Sequence, residues 1–472
     1  MAVWKLKSAL MGATAFAALA AGMAGAQAGS FGVRDQSAIG TGDGFAGAAA
    51  GADGLSSMFW NPATMTDRGG IQFSTNVTPI FPYSKLTADP SVASPLTAGP
   101  LAPLYSQSTG DIGVNAVAPS MSGSYQINDH LWAGMTINAP FGLGTEVPNS
   151  FAGSFYGVDT SVFSIDLNPN VAYKFNDMFS VAVGLQAMYF KTHATQNLPN
   201  FAAAPASLIP PFDLADLAGT GWGYGFTLGA TIKPWAGTEI GLGYRSGVDV
   251  PISGALTIRG GAGTIGATSA TTGLFAGTVI PAKLTFHLPD KLSLGVKQAV
   301  TDRFTLLAGY EFDHWSRMGN PNVLASAPFV VITTGGPVPA PAGSTLNTFQ
   351  LHYKDGHTFS LGGEYAYNGK LTLRAGVSYE IAPIDDSNRQ FILPDGDRIG
   401  LAAGFSYKVN DTVTLNAGYQ HLFVRGGPAT YLPPNYAIPF QANTKGGIDI
   451  VSVGLDVSLG GPPPAPAPLK AK

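Results

Sequence analysis

Apolar and polar residues alternate one by one along much of this chain. Phe179–Tyr189 reads Phe-Ser-Val-Ala-Val-Gly-Leu-Gln-Ala-Met-Tyr, and Leu371–Ile381 reads Leu-Thr-Leu-Arg-Ala-Gly-Val-Ser-Tyr-Glu-Ile. The same period recurs at Phe163–Phe175, Trp222–Ile232, Glu239–Arg245, Phe304–Asp313, Phe359–Tyr365, Ile399–Lys408, Val413–Gln420 and Val451–Leu459. In a strand, successive side chains point to opposite faces, so each run carries one apolar face and one mixed face. Tyr125, Tyr173, Tyr189, Tyr365, Tyr367, Tyr379, Tyr407 and Tyr419 tend to close the apolar faces. Amphipathic rings at strand ends suit the boundary between acyl chains and water.

The connections between runs are of two kinds. Six are tight: Asn128-Asp129-His130, Asn176-Asp177-Met178, Trp235-Ala236-Gly237, Thr301-Asp302-Arg303, Asn368-Gly369-Lys370 and Asn410-Asp411-Thr412. Asn, Asp and Gly supply the backbone conformations that short hairpins need. Between them lie longer loops at about 85–115, 141–160, 193–219, 259–278, 317–350, 385–397 and 426–446. Short turns on one side and long loops on the other are the signature of a bacterial outer-membrane barrel. Six turns and seven loops join fourteen strands and place both ends of the barrel on the periplasmic side.

Composition narrows the class. Charged residues make up 11% of the chain, aromatics another 11%, and glycine contributes 61 positions. That is low in charge for a soluble enzyme, yet no later apolar run is long enough for a spanning helix. A chain that enters lipid without spanning helices must pair every backbone amide and carbonyl, which a closed barrel does. A soluble sandwich or propeller would have shorter strands and no need of so uniform an apolar face. The net charge of −4 gives no basic surface for nucleic acid, and the lack of cysteine suits passage through an oxidising periplasm. Lys5 and Lys7, the apolar stretch from Ala9 to Ala21, and Ala26-Gln27-Ala28 read as a secretory signal ending at residue 28. The expected organisation is a signal at 1–28, a plug at 29–68, an all-β antiparallel transmembrane barrel at 69–460 and a Pro/Ala-rich periplasmic tail at 461–472. The place of action is the outer membrane of a Gram-negative cell.

Alternation assigns Asp166, Lys174, Arg245, Lys297, Glu311, Asp313, Glu364, Arg374, Glu380, Lys408 and Asp456 to the inner face. Mixed signs there suggest a cross-braced wall rather than an ion-selective pore. Residues 29–66 do not alternate; they are rich in Gly and Ala and end in Met58-Phe59-Trp60-Asn61-Pro62-Ala63. Phe45, Phe59, Trp60, Asn61, Pro62 and Ala63 are the expected plug residues. So little charge and so many buried-type aromatics argue against a floppy tail. A plugged bore in turn argues against free diffusion of solutes. The stretch from Asn197 to Gly221 is an apolar outer loop, offering Leu198, Phe201, Leu208, Ile209 and Phe212 as a groove or a self-packed lid. Inward-facing Met188 and Phe190 would carry that surface into the lumen.

Several motifs resemble one known family, the outer-membrane long-chain fatty acid transporters of FadL type and their aromatic-hydrocarbon relatives. They are Gly29-Ser-Phe-Gly-Val-Arg-Asp-Gln-Ser37, Gly47-Ala-Ala-Ala-Gly-Ala-Asp53 and Ser56-Ser-Met-Phe-Trp-Asn-Pro-Ala63. Further along come Asn138-Ala-Pro-Phe-Gly142, Asn168-Pro-Asn-Val-Ala-Tyr173, Leu288-Pro-Asp-Lys-Leu292 and Trp315-Ser316. The resemblance implies a fourteen-stranded barrel with an N-terminal hatch, a lumenal pocket, and a side opening where the third strand bends at Pro140, Phe141 and Gly142. A proline that cannot donate and a glycine that tolerates distortion give that bend a physical reason of its own. The implied function is passive uptake of hydrophobic molecules, exiting sideways into the bilayer after a hatch shift. Family members that bind fatty acids hold the carboxylate with basic residues near the outer end of the fifth strand. Lys191 and His193 are the candidates, although strict alternation turns both outward unless a bulge intervenes. A neutral hydrocarbon therefore stays open as substrate. The chain also departs from the family in that its last strand does not close on an aromatic residue but passes from Leu459 into Gly-Gly-Pro-Pro-Pro-Ala-Pro-Ala-Pro-Leu-Lys-Ala-Lys.

No cofactor or metal is expected, and no catalysis, since His421 has no companion serine in a suitable context. A surface adhesin or structural barrel is the alternative to transport, and an open porin is disfavoured by the plug. Expected partners are the hydrophobic substrate, outer-membrane lipid and lipopolysaccharide, and the barrel-assembly machinery. The chain itself is expected to be a monomer.

Overall fold

The computed structural model describes residues 30–98, 101–199, 212–260, 264–267, 272–390, 392–431 and 438–460. The expected signal and tail segments lie outside them. The alternating runs form one closed antiparallel barrel of fourteen strands. The first six strands are β1 (Ile71–Ala88), β2 (Ala116–Gln126), β3 (Leu131–Asn138, resuming at Gly142–Glu146), β4 (Asp159–Lys174), β5 (Phe179–Leu198) and β6 (Asp213–Ile232). Next come β7 (Thr238–Arg245 and Asp249–Arg259), β8 (Val279–His287 and Lys291–Ala299), β9 (Phe304–Asp313) and β10 (Gly356–Ala366). The last four are β11 (Leu371–Ile381), β12 (Arg398–Lys408), β13 (Val413–Val424) and β14 (Phe440–Leu459). Each pairs with its neighbour in sequence, and β1 closes on β14 from Ile71↔Leu459 to Ala88↔Ala442.

The two faces separate as alternation requires. Leu185, Tyr224, Phe226 and Leu228 are exposed on the outer wall, while Asp166, Asn168, Asn170 and Gln186 are buried inside. The lumenal ions pair: Arg245 with Asp166 at 2.6 Å and Arg374 with Glu364 at 2.6 Å. A charge on the lipid side near the midplane would cost a few kcal/mol, which keeps these groups in the bore. The tight turns show why Asn and Thr stand where they do. The side-chain oxygens of Asn128, Asn176, Asn368, Asn410 and Thr301 accept from amides two and three residues on. Each turn thereby supplies its own hydrogen bonds.

The outer connections differ from the expected loops. Leu198 pairs with Asp213, so β5 and β6 run on beyond the positions read as loop, and Leu214 and Leu217 belong to the ladder. Above the lipid a ladder no longer needs a uniform apolar face, so alternation fades while pairing continues. Ile265–Ala267, Thr272–Phe275, Phe329–Thr333 and Gly336–Ala340 form a separate small sheet within two of those connections.

Residues 30–67 fill the bore. They fold as α1 (Ala38–Asp43) and three 3-10 turns at Ala48–Ala50, Gly54–Phe59 and Pro62–Asp67. Ser37 caps α1 by accepting from the Gly40 amide at 3.1 Å, and Gly44 ends it at φ 69°, where a side chain would be strained. The hatch backbone approaches the wall closely where the wall carries glycine. A Cβ on Gly241 would lie 1.7 Å from the Ala49 carbonyl oxygen, and one on Gly243 the same distance from that of Trp60. Asn61 joins hatch and barrel: its Oδ1 accepts from the Ala63 amide at 3.0 Å, and its Nδ2 donates to Ala49 O at 2.7 Å and Ala230 O at 2.9 Å. Pro62 follows at the first helical position, where a missing amide costs nothing.

Candidate functional site

Two strand irregularities and the tip of the hatch meet on one side of the lumen. The β2–β3 ladder runs from Gln126↔Trp132 only as far as Met121↔Ile137. Residues 139–141 then leave the sheet, and pairing on that edge returns with Val114 N donating to Gly144 O at 3.1 Å. Between these points the upper part of β2 keeps β1 as its only ladder neighbour among the described residues. Pro140 accounts for the departure, since its ring removes a ladder donor.

The hatch occupies the interrupted ladder. Val33 N donates to Pro140 O and Gly142 N to Phe31 O, both at 2.8 Å, which sets Gly32 directly opposite Phe141. Val33 packs with Ile80, Ala116 and Ala118. Gln36, fully buried, bridges the gap: Nε2 donates to Val33 O at 3.1 Å and Ala139 O at 3.0 Å. Its Oε1 accepts from Asn138 Nδ2 at 3.1 Å and Ala139 N at 3.3 Å. Its own carbonyl accepts from Ser120 Oγ of β2 at 2.6 Å. One glutamine thus replaces the missing strand-to-strand bonds.

Phe31 is the centre of an aromatic group. Its ring lies 5.0 Å from Trp315, 5.8 Å from Phe141 and 6.3 Å from Phe190, and Phe190 is 5.6 Å from Phe286. Met188, Leu143, Val248 and Leu288 are among the other buried residues of this cluster. A cavity runs beside it, lined by Val33, Phe141, Met188, Val248, Trp315 and Pro383 on its apolar side. The strand interruptions in β7 at 246–248 and in β8 at 288–290 border it with Ser246, Val248, Leu288 and Pro289, and Leu288 N still donates to Val248 O at 2.9 Å across them.

The floor of the cavity is ionic. Arg34 donates to Glu311 through Nε at 3.1 Å and Nη2 at 2.5 Å, and its guanidinium lies 5.1 Å over the Phe45 ring. Lys291 reaches Glu311 at 2.8 Å and Asp313 at 3.0 Å. Arg245 donates to Asp166 and Gln186, each at 2.6 Å, and to Phe59 O at 3.0 Å, with its carbon 4.4 Å over the Phe59 ring. Hatch and wall are therefore tied by charge-assisted bonds at two heights. Deeper in the hatch, neither carboxylate oxygen of buried Asp53 has a hydrogen-bond partner among the described residues. Burial pushes this carboxyl up to about 8; Arg374 opposes the rise, and Glu364 and Glu311 add to it.

The expected site residues divide. Met188 and Phe190 meet in the lumen as read, and the hatch residues Phe45, Phe59, Trp60, Asn61, Pro62 and Ala63 are all buried in the bore. Pro140, Phe141 and Gly142 sit at the kink. The loop residues do not gather into one surface: Leu198 packs with Ile258, Leu274 and Ile280, while Phe212 lies 4.8 Å from Phe155 in a different cluster. Phe201, Leu208 and Ile209 lie outside the described residues. Lys191 is exposed on the outward phase with no bulge to turn it. His193 also faces out, 3.0 Å from Asp216. Neither lines the cavity, whose cations are Arg34, Arg245 and Lys291; Arg34 and Lys291 were not among the expected site residues. Phe31, Gln36 and Trp315 were also missed as site residues. All of them lie in the motifs at 29–37, 288–292 and 315–316, so the motifs marked the region without naming a role.

Comparisons with known proteins agree with this architecture. The profile of the family described as "Outer membrane protein transport protein (OMPP1/FadL/TodX)" matches residues 17–448. The chain is 28% identical over 454 residues to the "47 kDa outer membrane protein" of Pasteurella multocida, covering 93% of this chain and 96% of that protein. It is 26% identical to the "Long-chain fatty acid transport protein" of Escherichia coli O6:H1, covering 88% and 90%. Among solved structures it resembles a Pseudomonas aeruginosa FadL homologue with TM-score 0.73 and 21% identity over 92% of this chain and all of the other. The toluene transporter TbuX of Ralstonia pickettii follows at TM-score 0.59 and 18% identity, covering 91% and 100%.

Proposed function

The chain belongs to the outer membrane transport protein family (OMPP1/FadL/TodX), and on that premise we propose that it carries hydrophobic small molecules inward across the outer membrane. Long-chain fatty acids or related lipids and hydrocarbons are the substrate class. The observation that supports this reading is the cavity between Met188 and Trp315, whose lining includes both hatch residues Gly32, Val33 and Arg34 and kink residues Pro140 and Phe141. A ligand enters from the side of the long outer connections and settles against Met188 and Phe190. The Phe31 end of the hatch then shifts, and the ligand leaves sideways between β2 and β3 into the bilayer.

Sideways exit suits a molecule whose transfer into water is unfavourable, because it never crosses an aqueous channel. No energy source is built into such a path, so flux follows the gradient maintained by consumption inside the cell. Relatives named for long-chain fatty acid transport and for toluene transport support the substrate class. Arg34 and Lys291 at the cavity floor support an acid: both are cations already held in place by Glu311 and Asp313, and a ligand carboxylate can share their donors. Uptake of labelled oleate and of toluene into proteoliposomes tests the proposal. Saturable entry of either above empty liposomes is expected, with oleate the faster if the basic floor is used. Entry of neither favours the adhesin reading.

A further inference from the structure

Three cations stand side by side on the outer wall, away from the lumen. Lys85 of β1 is directly opposite Lys445 of β14, and both are exposed. Val424 of β13 pairs with Gly446, which brings exposed Arg425 level with Lys445 on its other side. At the usual strand spacing the three positions span roughly 10 Å. Like charges placed directly opposite destabilise a sheet, so a bare row of this kind calls for an anion. The protein supplies little. Neither lysine is within ion-pair distance of a carboxylate among the described residues, and Arg425 only reaches Asp386 at 3.7 Å and Asp397 at 3.6 Å. The nearest carboxylate on the row two below, Asp449, is engaged by His421 at 2.8 Å and Tyr419 at 2.7 Å.

Directly beneath the cations, Phe423, Gly447 and Tyr83 form the next outward row. Both rings are exposed, at 54% and 48%, and Phe81 continues the apolar surface below Tyr83. Gly447 between them leaves a notch. A Cβ there would sit a tight 3.3 Å from the Leu422 carbonyl oxygen and 3.7 Å from the His421 ring, which borders the notch. Lys85 lies three residues before the outer end of β1, on the side of the long connections and opposite the tight turns. The surface thus has a cationic ledge near the end of the barrel that carries the long connections, and an apolar slot running down from it toward the tight turns.

We propose that this β13–β14–β1 face binds a phosphorylated glycolipid of the outer leaflet, its phosphate on Arg425, Lys445 and Lys85 and one acyl chain in the Gly447 notch. Arginine supplies paired donors to phosphate oxygens and the lysines supply point charge. A free phosphate would use the ledge without the slot, and a zwitterionic phospholipid would bring a compensating cation against three others. The inference rests on the outer-membrane location and is separate from the transport reading.

The test compares the intact protein in nanodiscs of phosphatidylethanolamine with and without lipid A, read by native mass spectrometry and by titration. Retention of lipid A through purification is expected, with at least tenfold weaker binding in the double variant K85Q/K445Q and in Gly447→Val. Oleate uptake by these variants should be unchanged, which separates a folding defect from a lost lipid site. Inorganic phosphate at millimolar concentration should not displace lipid A. Undiminished lipid A binding in the double lysine variant overturns the proposal. So does equal weakening by inorganic phosphate together with no effect of Gly447→Val, which would leave only a simple anion ledge.

Discussion

Replacing Gln36 probes the seam between β2 and β3 more cleanly than replacing any aromatic residue, because its side chain bonds only to the hatch tip and the kink. Four side-chain hydrogen bonds disappear in Gln36→Ala, at 3.0 to 3.3 Å, to Val33, Asn138 and Ala139. A buried bond contributes about 1 kcal/mol net, and water entering the gap recovers part of the loss, so the seam weakens by about 2–3 kcal/mol. If release of residues 31–36 limits exit, a loss of about 2 kcal/mol raises the transport rate roughly thirtyfold. Gln36→Leu keeps the volume and removes the bonds, so it should match alanine if bonding is what holds the seam. Two readouts apply: oleate flux into proteoliposomes, and hydrogen exchange at the Val33 amide, which donates to Pro140 O. Unchanged exchange and unchanged flux in both variants would refute the assignment of Gln36 as the latch.

Three further substitutions address other parts of the path. Phe190→Glu places a charge among Phe31, Phe286 and Met188, where burial of an unpaired ion costs several kcal/mol, so uptake should fall at least tenfold while heat-resistant barrel mobility on gels is retained; unaltered uptake would remove Phe190 from the route. The Arg34–Glu311 tie should show coupling of about 1–3 kcal/mol in a double-mutant cycle of Arg34→Met and Glu311→Gln, read as protease susceptibility of the hatch, and additive effects would mean the pair does not hold it. Asp53 has its carboxyl raised by burial, so its charged form is disfavoured in the docked hatch; docking should be firmest below about pH 4 and weaken progressively as pH rises toward 8. Asp53→Asn should flatten that slope in hydrogen exchange at α1, though not abolish it, since burial also raises Asp43, and an unchanged slope would contradict the assignment.

Much of the barrel was legible because lipid imposes a strict rule on one face of each strand. Every alternating run lies inside an observed strand except that Phe163–Phe175 overshoots its strand by one residue, and the turn asparagines do the capping their chemistry suggested. Where lipid ends, the rule ends, which is why β5 and β6 extend past the expected loop to Leu198 and Asp213. The small outer sheet was invisible for the same reason. The hatch is a different case: its burial depends on glycines such as Gly241 and Gly243 on the wall, whose role is set by what approaches them and not by their neighbours in sequence. Alternation rightly turned Lys191 and His193 outward. It had nothing to say of Arg34, Gln36 or Phe31, which lie in irregular chain where no period assigns a face. Their roles arise only when the kink at Pro140 brings β3 to them.

The proposed path depends on residues 31–36 parting from the kink. Gly32 and Phe141 face each other in the spacing between two backbone bonds where opposite Cα atoms are close enough for a disulfide, and the chain has no other cysteine to compete. In the double variant Gly32→Cys/Phe141→Cys, oleate uptake into proteoliposomes should stop on oxidation and return with a reductant in the same sample. Equal uptake by the bridged and reduced forms would show that the substrate travels by another way.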